Sequence, residues 1–227
     1  MKISWRTEWV HWLLIAGMWI LAALSWSSAP ARIPVHWGLN GQANRYGGKV
    51  EGLLLLPALA LGLYVLMIAL PRWDPGRANY RAFAGSYTLI RLLLTTLLAV
   101  IYGIVQLQIH GSPLATNTVI PLVVGGLFII LGNQMGKLRP NWFVGIRTPW
   151  TLSSKMAWVK THRFGGWVFM GMGVAQIAVG LLHAVWATKA MLGLIILGTL
   201  VICAYSYLAW RKDPAKVPPA GTLPGEE

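Results

Sequence analysis

Apolar residues fall into six runs along this chain, over positions 9–28, 52–70, 89–109, 116–132, 165–186 and 191–210. A helix rises 1.5 Å per residue, so about 20 apolar residues cross the roughly 30 Å of hydrocarbon in a bilayer. We read each run as a transmembrane helix. Turn formers separate them. The stretch 29–51 holds Pro34, Gly38, Gly41, Gly47 and Gly48, and its Asn40-Gly41 pair is a strong turn signal. The stretch 71–88 turns at Asp74-Pro75-Gly76, 110–115 is a short uncharged turn, and 187–190 is a tight turn with Lys189. Pro57 and Pro121 lie inside runs, where neighbouring helices must satisfy the carbonyls they free. Ala29-Pro30-Ala31 resembles a leader-peptide cleavage site, but the run before it is long and contains Trp9, Trp12, Trp19 and Trp26, so we read it as an uncleaved span.

One connector differs from the others. Residues 133–163 carry Lys137, Arg139, Arg147, Lys155, Lys160 and Arg163 and no acid. Pro140 and Pro149 break any continuous helix over 137–150, while Gly136 and Gly145 permit tight turns. Arg139, Asn141, Arg147 and Thr148 offer many donors and few acceptors, a chemistry suited to backbone carbonyls, a peptide carboxyl terminus or lipid phosphates. Residues 151–163 read as a short interfacial helix capped by Thr151 or Ser153, with Trp158 and His162 four apart on one face. Met156, Trp158 and Val159 would then lie on lipid, and Lys155 and Lys160 would face water.

Composition agrees with a membrane chain. The 227 residues are 56% hydrophobic and 11% charged, where soluble domains carry about 25% charged residues. Thirteen tryptophans fit membrane–water interfaces. The net charge of +13 reads as cytoplasmic loops held inside by Lys and Arg, not as direct nucleic-acid binding. With six spans, fifteen of the 19 Lys and Arg residues fall on the side of both termini and of 133–163, which places that side in the cytoplasm and 29–51 outside. The single Cys203 excludes an intrachain disulfide and a cysteine metal cluster.

Enzyme signatures are missing from the sequence. Glu8, Glu51, Asp74, Asp213, Glu226 and Glu227 all fall outside the runs as drawn, and Arg91 sits in the first turn of the third, where it can snorkel. His11, His36, His110, His162 and His183 share no ligand spacing, so we expect no metal, no cofactor and no catalysis. Polar residues inside the runs are Gln106, Gln176 and His183; Gln176 reads more readily as an interhelical hydrogen bond than as a contact to a ligand within the bundle. Gly165, Gly166, Gly171, Gly173 and Gly180 suit close helix contact.

The string NQMGKLRPNWFVGIRTPWTLSS at 133–154, followed by WVKTHR at 158–163, resembles the SdpI family of bacterial multi-pass membrane proteins. The string IPVHWGLNGQANRYGGK at 33–49 resembles a short module of unknown function that commonly precedes that region. Where relatives often carry acids after the serines, this chain has Lys155 and Met156. The resemblance implies an immunity protein of the bacterial plasma membrane that protects against a secreted, membrane-active peptide toxin and holds a small helix-turn-helix repressor at the bilayer. It implies a signature, partner-binding face from Asn133, Gly136, Lys137, Arg139, Pro140, Asn141, Gly145, Arg147, Thr148, Pro149, Trp150, Trp158, Lys160, Thr161 and His162, and an outward loop marked by Pro34, His36, Gly41 and Lys49. We therefore expect an all-α integral membrane protein with a three-span region at 1–112, an SdpI-like three-span region at 113–211 and a disordered tail at 212–227. A small transporter or channel, using Pro57, Pro121 and Gln176, is the alternative.

Overall fold

The computed structural model describes residues 5–38, 40–112, 116–182 and 185–217. Helix α1 (Trp5–Ser25) leads into an antiparallel hairpin of β1 (Ile33–Trp37) and β2 (Ala43–Gly47). One π-helical turn (Val50–Leu54) opens α2 (Leu55–Trp73), and a 3₁₀ turn (Arg77–Phe83) opens α3 (Ala84–Ile109). Then come α4 (Thr116–Met135), the four-residue α5 (Pro149–Leu152), α6 (Lys155–Leu182) and α7 (Val185–Arg211). Among the described residues, six helical segments are long and apolar enough to cross a membrane. Their outward faces expose Leu24, Val65, Trp167, Val174, Leu181, Ile196 and Leu200, far more apolar side chain than a soluble monomer shows water. This is an all-α multi-pass membrane protein whose solvent is the bilayer.

The hairpin and the basic connector lie at opposite ends of the bundle. At the hairpin end, Gly41 turns the chain with φ +76°. Trp37 Nε1 donates to Gln108 Oε1 at the end of α3 (3.1 Å), and Thr116 Oγ1 donates to the Gly41 carbonyl at the start of α4 (2.6 Å). Ile33 is fully buried against Leu53, Ala60 and Tyr102, so the hairpin is seated on α2 and α3 rather than hanging free. The loop foreseen over 29–51 is thus an ordered hairpin in its centre.

Helices α4 and α6 pack antiparallel along a seam of small residues. An added Cβ on Gly125 would meet the Gly173 carbonyl oxygen at 2.7 Å, and one on Gly173 would meet the Gly125 oxygen at 2.6 Å. Gly132 and Gly166 oppose each other in the same way, at 2.6 and 2.7 Å, and Gly180 faces the Thr118 carbonyl at 3.1 Å. Lipid gives no hydrophobic drive to helix association, so backbones brought this close gain their attraction from dispersion. Gly171 meets nothing within 4 Å and has no part in the seam.

Several expectations change here. Residues 151–163 do not form a separate interfacial helix. Leu152 ends α5, Ser154 caps the next turn by accepting the Ala157 N–H at 2.9 Å, and α6 runs on from Lys155 into the fifth span. Trp158, placed on lipid by the sequence, is fully buried. Residues 187–190 are helix within α7, not a turn. Residues 212–217 of the expected disordered tail dock on the bundle: the Ser154 hydroxyl donates to Asp213, and the Val217 N–H donates to the Ser153 carbonyl at 3.1 Å. Residues 218–227, His183 and residues 113–115 of the short turn lie outside the described residues.

The largest change concerns charge. Glu8 sits in α1 at 3% exposure and Arg91 in α3 at 2%. Arg91 Nη2 donates to both Glu8 oxygens, at 2.5 and 2.7 Å, and Tyr64 OH donates to Glu8 Oε2 at 3.0 Å. Arg91 does not snorkel, because a carboxylate on a neighbouring helix offers a closer partner than the interface. His11 and Thr95 bond beside the pair at 3.0 Å, and the guanidinium lies over the rings of Tyr64 and Tyr87 at 6.0 and 5.9 Å.

Two outcomes follow. Glu8→Gln should destabilise the protein by about 3 kcal/mol, because it strands a buried guanidinium; thermal unfolding in detergent measures this, and an unchanged midpoint would contradict it. Gly173→Leu should cost about 1–3 kcal/mol through overpacking of the seam, while Gly171→Leu should shift the midpoint little.

Candidate functional site

The connector between α4 and α5 folds around one side chain, Asn141, which is 2% exposed. Its Nδ2 donates to the carbonyls of Arg139 and Val144, both at 2.9 Å. Its Oδ1 accepts the N–H groups of Phe143 at 3.0 Å and Val144 at 2.7 Å. Asparagine suits this place because its short amide pairs with backbone donors and acceptors at once. Pro140 just before it keeps the segment from continuing as helix.

Two flanking elements hold this folded segment. On one side is the turn that precedes α3. Asp74 Oδ2 accepts the Trp142 N–H at 3.0 Å and the Tyr80 hydroxyl at 2.7 Å, while Oδ1 accepts the Gly76 N–H at 2.6 Å. Asn79 Nδ2 donates to the Pro140 carbonyl at 2.7 Å. On the other side is α6. Trp158 Nε1 donates to the Leu138 carbonyl at 3.1 Å, and the Ile146 N–H donates to His162 Nε2 at 2.9 Å. His162 Nδ1 bonds the Trp158 carbonyl at 2.8 Å. A carbonyl only accepts and an N–H only donates, so the His162 proton is assigned to Nδ1 and the ring is neutral. The two rings stack at 4.1 Å. Gly145 adopts φ +113°, and a Cβ there would collide with the His162 ring.

Thr148 and Pro149 then start α5. Thr148 Oγ1 accepts the Thr151 N–H at 3.2 Å, Thr151 Oγ1 accepts the Thr148 N–H at 2.9 Å, and proline occupies the first turn, where no N–H is needed. Thr151 and Ser153, the caps expected for 151–163, cap neither helix: Thr148 caps α5 and Ser154 caps α6. Thr148 also meets Ser206 of α7 at 3.0 Å, and Trp150 packs on Tyr207.

The residues picked out by the sequence therefore separate into two kinds. Asn141, Thr148, Trp158 and His162 are internal fasteners, and Gly145 is the exposed turn that clears the His162 ring. Asn133, Gly136, Lys137, Arg139, Arg147, Pro149 and Lys160 are exposed, and Pro140 and Trp150 are half-buried. Thr161 is buried, and its hydroxyl has no hydrogen-bond partner. Pro34, His36, Gly41 and Lys49 stand apart at the hairpin end; His36 bonds Asn44 at 2.6 Å, and Lys49 Nζ reaches the Trp26 carbonyl at 2.7 Å.

Sequence reading missed Asp74, Asn79, Ser154, Ser206 and Asp213 as parts of this end. The Asp74-Pro75-Gly76 turn was visible, but its reach across the fold to Trp142 was not. Asp213 is bound by the Ser154 hydroxyl and accepts the Ala215 N–H at 2.9 Å; chiefly the Ser154 bond holds its carboxyl below the usual carboxylate range. The stability this contributes is fully present above the unfolded value of about 3.9 and is lost as pH falls through the lower folded one.

The three described acids of this end, Glu8, Asp74 and Asp213, are buried and used internally. Among the described residues of this end the exposed charges are all cations: Arg72, Arg77, Arg81, Lys137, Arg139, Arg147, Lys155, Lys160, Arg163, Arg211 and Lys212. Arg147 donates to the Trp142 carbonyl at 2.8 Å, and the Trp142 ring is exposed. Such a face attracts lipid phosphates or an acidic protein surface. Among the described residues no three His, Cys, Asp or Glu side chains converge as metal ligands.

Residues 137–208 match the model of the SdpI/YfhL protein family, and residues 13–61 match a domain of unknown function, DUF1648. The immunity protein SdpI of Bacillus subtilis (strain 168) is similar to this chain, with 23% identity over 204 residues, 88% of this chain and 94% of that protein. No solved structure matches the chain. The two modules read from 133–163 and 33–49 fall within or across these matches, in the expected order.

Asp74→Ala should destabilise the protein by about 3 kcal/mol, since it removes a buried acceptor and leaves the Tyr80 hydroxyl and the Trp142 N–H unpaired. Limited proteolysis should then cut faster within 136–148. Equal cleavage rates in the two proteins would refute this clamp.

Proposed function

We propose that this chain, a multi-pass membrane protein of the SdpI immunity type, protects its cell against a secreted, membrane-active peptide and relays the presence of that peptide to a cytoplasmic partner. The basic end faces the cytoplasm and the hairpin end faces outward, in the sense that the Lys and Arg distribution favours. The protein acts by binding rather than by catalysis. The membrane is the bacterial plasma membrane.

One observation carries the relay. The segment 136–148 is pinned from both sides through Asp74 and through Trp158 and His162, yet Lys137, Arg139 and Arg147 project from it with no ion-pair partner among the described residues. A loop this firmly built, with unneutralised cations on its surface, is suited to receive an acidic protein surface, such as that of a small helix-turn-helix repressor held at the bilayer. The hairpin, seated on the other ends of α2, α3 and α4, is the surface that an external peptide meets first.

Deletion of the gene should sensitise cells to the toxic peptides that their own strain secretes, and a plasmid copy should restore survival. Survival unchanged across those peptides would sink the protective role. In rescued cells, joint replacement of Arg139 and Arg147 by Ala should lower induction of a reporter under the partner's control several-fold while leaving peptide binding intact. Equal loss of both would argue against the division between a sensing end and a relaying end.

A further inference from the structure

Gln176 lies in α6, six residues before its end at Leu182, in the half of the bundle nearer the hairpin. It is 0% exposed, and neither its Nε2 nor its Oε1 has a hydrogen-bond partner among the described residues. The interhelical hydrogen bond expected for this residue is not made. A side-chain amide carries two donors and an acceptor, and burial without partners forfeits its hydration with no return. An apolar residue of the same size would stabilise this position, so Gln176 opposes the stability of its own helix pair. Departures of this kind concentrate where a protein must bind something.

The surroundings narrow what that is. Gly173 and Gly180 bracket Gln176 at three and four residues, so it shares the α6 face that packs on α4. Opposite Gly180 stand Thr118 and Pro121 of α4. The Thr118 hydroxyl is also buried without a partner among the described residues. Pro121 lacks the N–H that would close the first turns of α4. Thr116, one half-turn from Thr118, is bonded to the hairpin at Gly41. A group that satisfies Gln176 must supply an acceptor and a donor together and must otherwise be apolar. The peptide group of an apolar segment has that chemistry, and side-chain amide to backbone amide pairing satisfies both partners.

We infer that Gln176, with Thr118 opposite the next turn of α6 at Gly180, is the recognition point of a peptide-group binding site between α4 and α6, on the hairpin side of the bundle. This deepens the proposed function and rests on it for the nature of the ligand: a membrane-active peptide that passes the hairpin would present its backbone here. Arg91, with its own unpartnered nitrogens, is a weaker candidate, because Glu8 and two tyrosine rings already surround its charge.

The test uses the full-length protein in lipid nanodiscs, labelled with ¹⁵N at glutamine side chains, and N-acetyl-leucine methylamide as a blocked single-peptide probe. Gln176→Leu assigns the resonance. The wild type should show a saturable shift of the Gln176 amide pair with probe, and Thr118→Val should weaken it several-fold. The midpoint of thermal unfolding of Gln176→Leu should equal or exceed that of the wild type, and cells carrying this variant should lose protection against their strain's secreted peptides. A lower midpoint for Gln176→Leu would show a structural amide and overturn the inference. So would an amide pair that ignores the probe and exchanges only with water. If the gene deletion leaves survival unchanged but the saturable shift is present, the immunity reading falls and the binding site stands.

Discussion

A carboxylate taken out of water must be matched by donors, and that requirement organises the basic end of this molecule. Three acids are buried there, and each ties together parts of the chain that are far apart in sequence. Glu8 fastens α1 to α3 through Arg91, with Tyr64 of α2 as a third contact. Asp74 fastens the turn before α3 to the connector at Trp142. Asp213 fastens the end of α7 to the start of α6 at Ser154. Hydrogen bonds to a buried charge are stronger than those between neutral groups, and a lost partner leaves an expensive unpaired group. A few such groups can therefore specify the relative placement of helices that lipid alone would hold loosely.

With those acids spent internally, no carboxylate among the described residues of the basic face neutralises its cations. The same economy of charge that secures the fold leaves a surface set to attract anionic groups. The connector presenting these cations has little regular secondary structure, but side-chain bonds from Asn141, Asp74, Trp158 and His162 hold it in place. Its rigidity comes from partners on neighbouring elements. A binding surface built this way needs little ordering when its partner arrives, which lowers the entropic cost of association.

The six spans were legible because each is long, apolar and bounded by turn formers, a signal that local sequence carries by itself. The ends were less so. Trp5–Glu8 joins α1, although polar residues there read as a tail, because Arg91 supplies a partner that no local pattern reveals. Lys155–Arg163 looked amphipathic, yet it continues into the fifth span since Trp158 and His162 turn toward the connector rather than toward lipid. Arg91 was read as an interfacial residue for the same reason Glu8 was placed outside the first run: each was judged without the other. Asn141, His162 and Trp158 were recognised as parts of the candidate site, but their service as internal fasteners depends on backbone groups at Arg139, Val144, Ile146 and Leu138, which composition and spacing do not locate. The glycines of α6 were recognised as contact residues; which of them matter depended on their partners in α4.

Those partners have a consequence for motion. Positions 118, 125 and 132 of α4 meet 180, 173 and 166 of α6 at a repeat of seven residues. Sliding one helix along the other by a single turn would drive side chains into facing backbone, and the next comparable register lies about 10 Å away, at seven residues of 1.5 Å each. The pair is geared against piston movement. Any message passing from the hairpin end to the cationic face along α4 and α6 has to travel as a tilt or a roll of the two helices together, with Gly132 and Gly166 as the pivot nearest the connector.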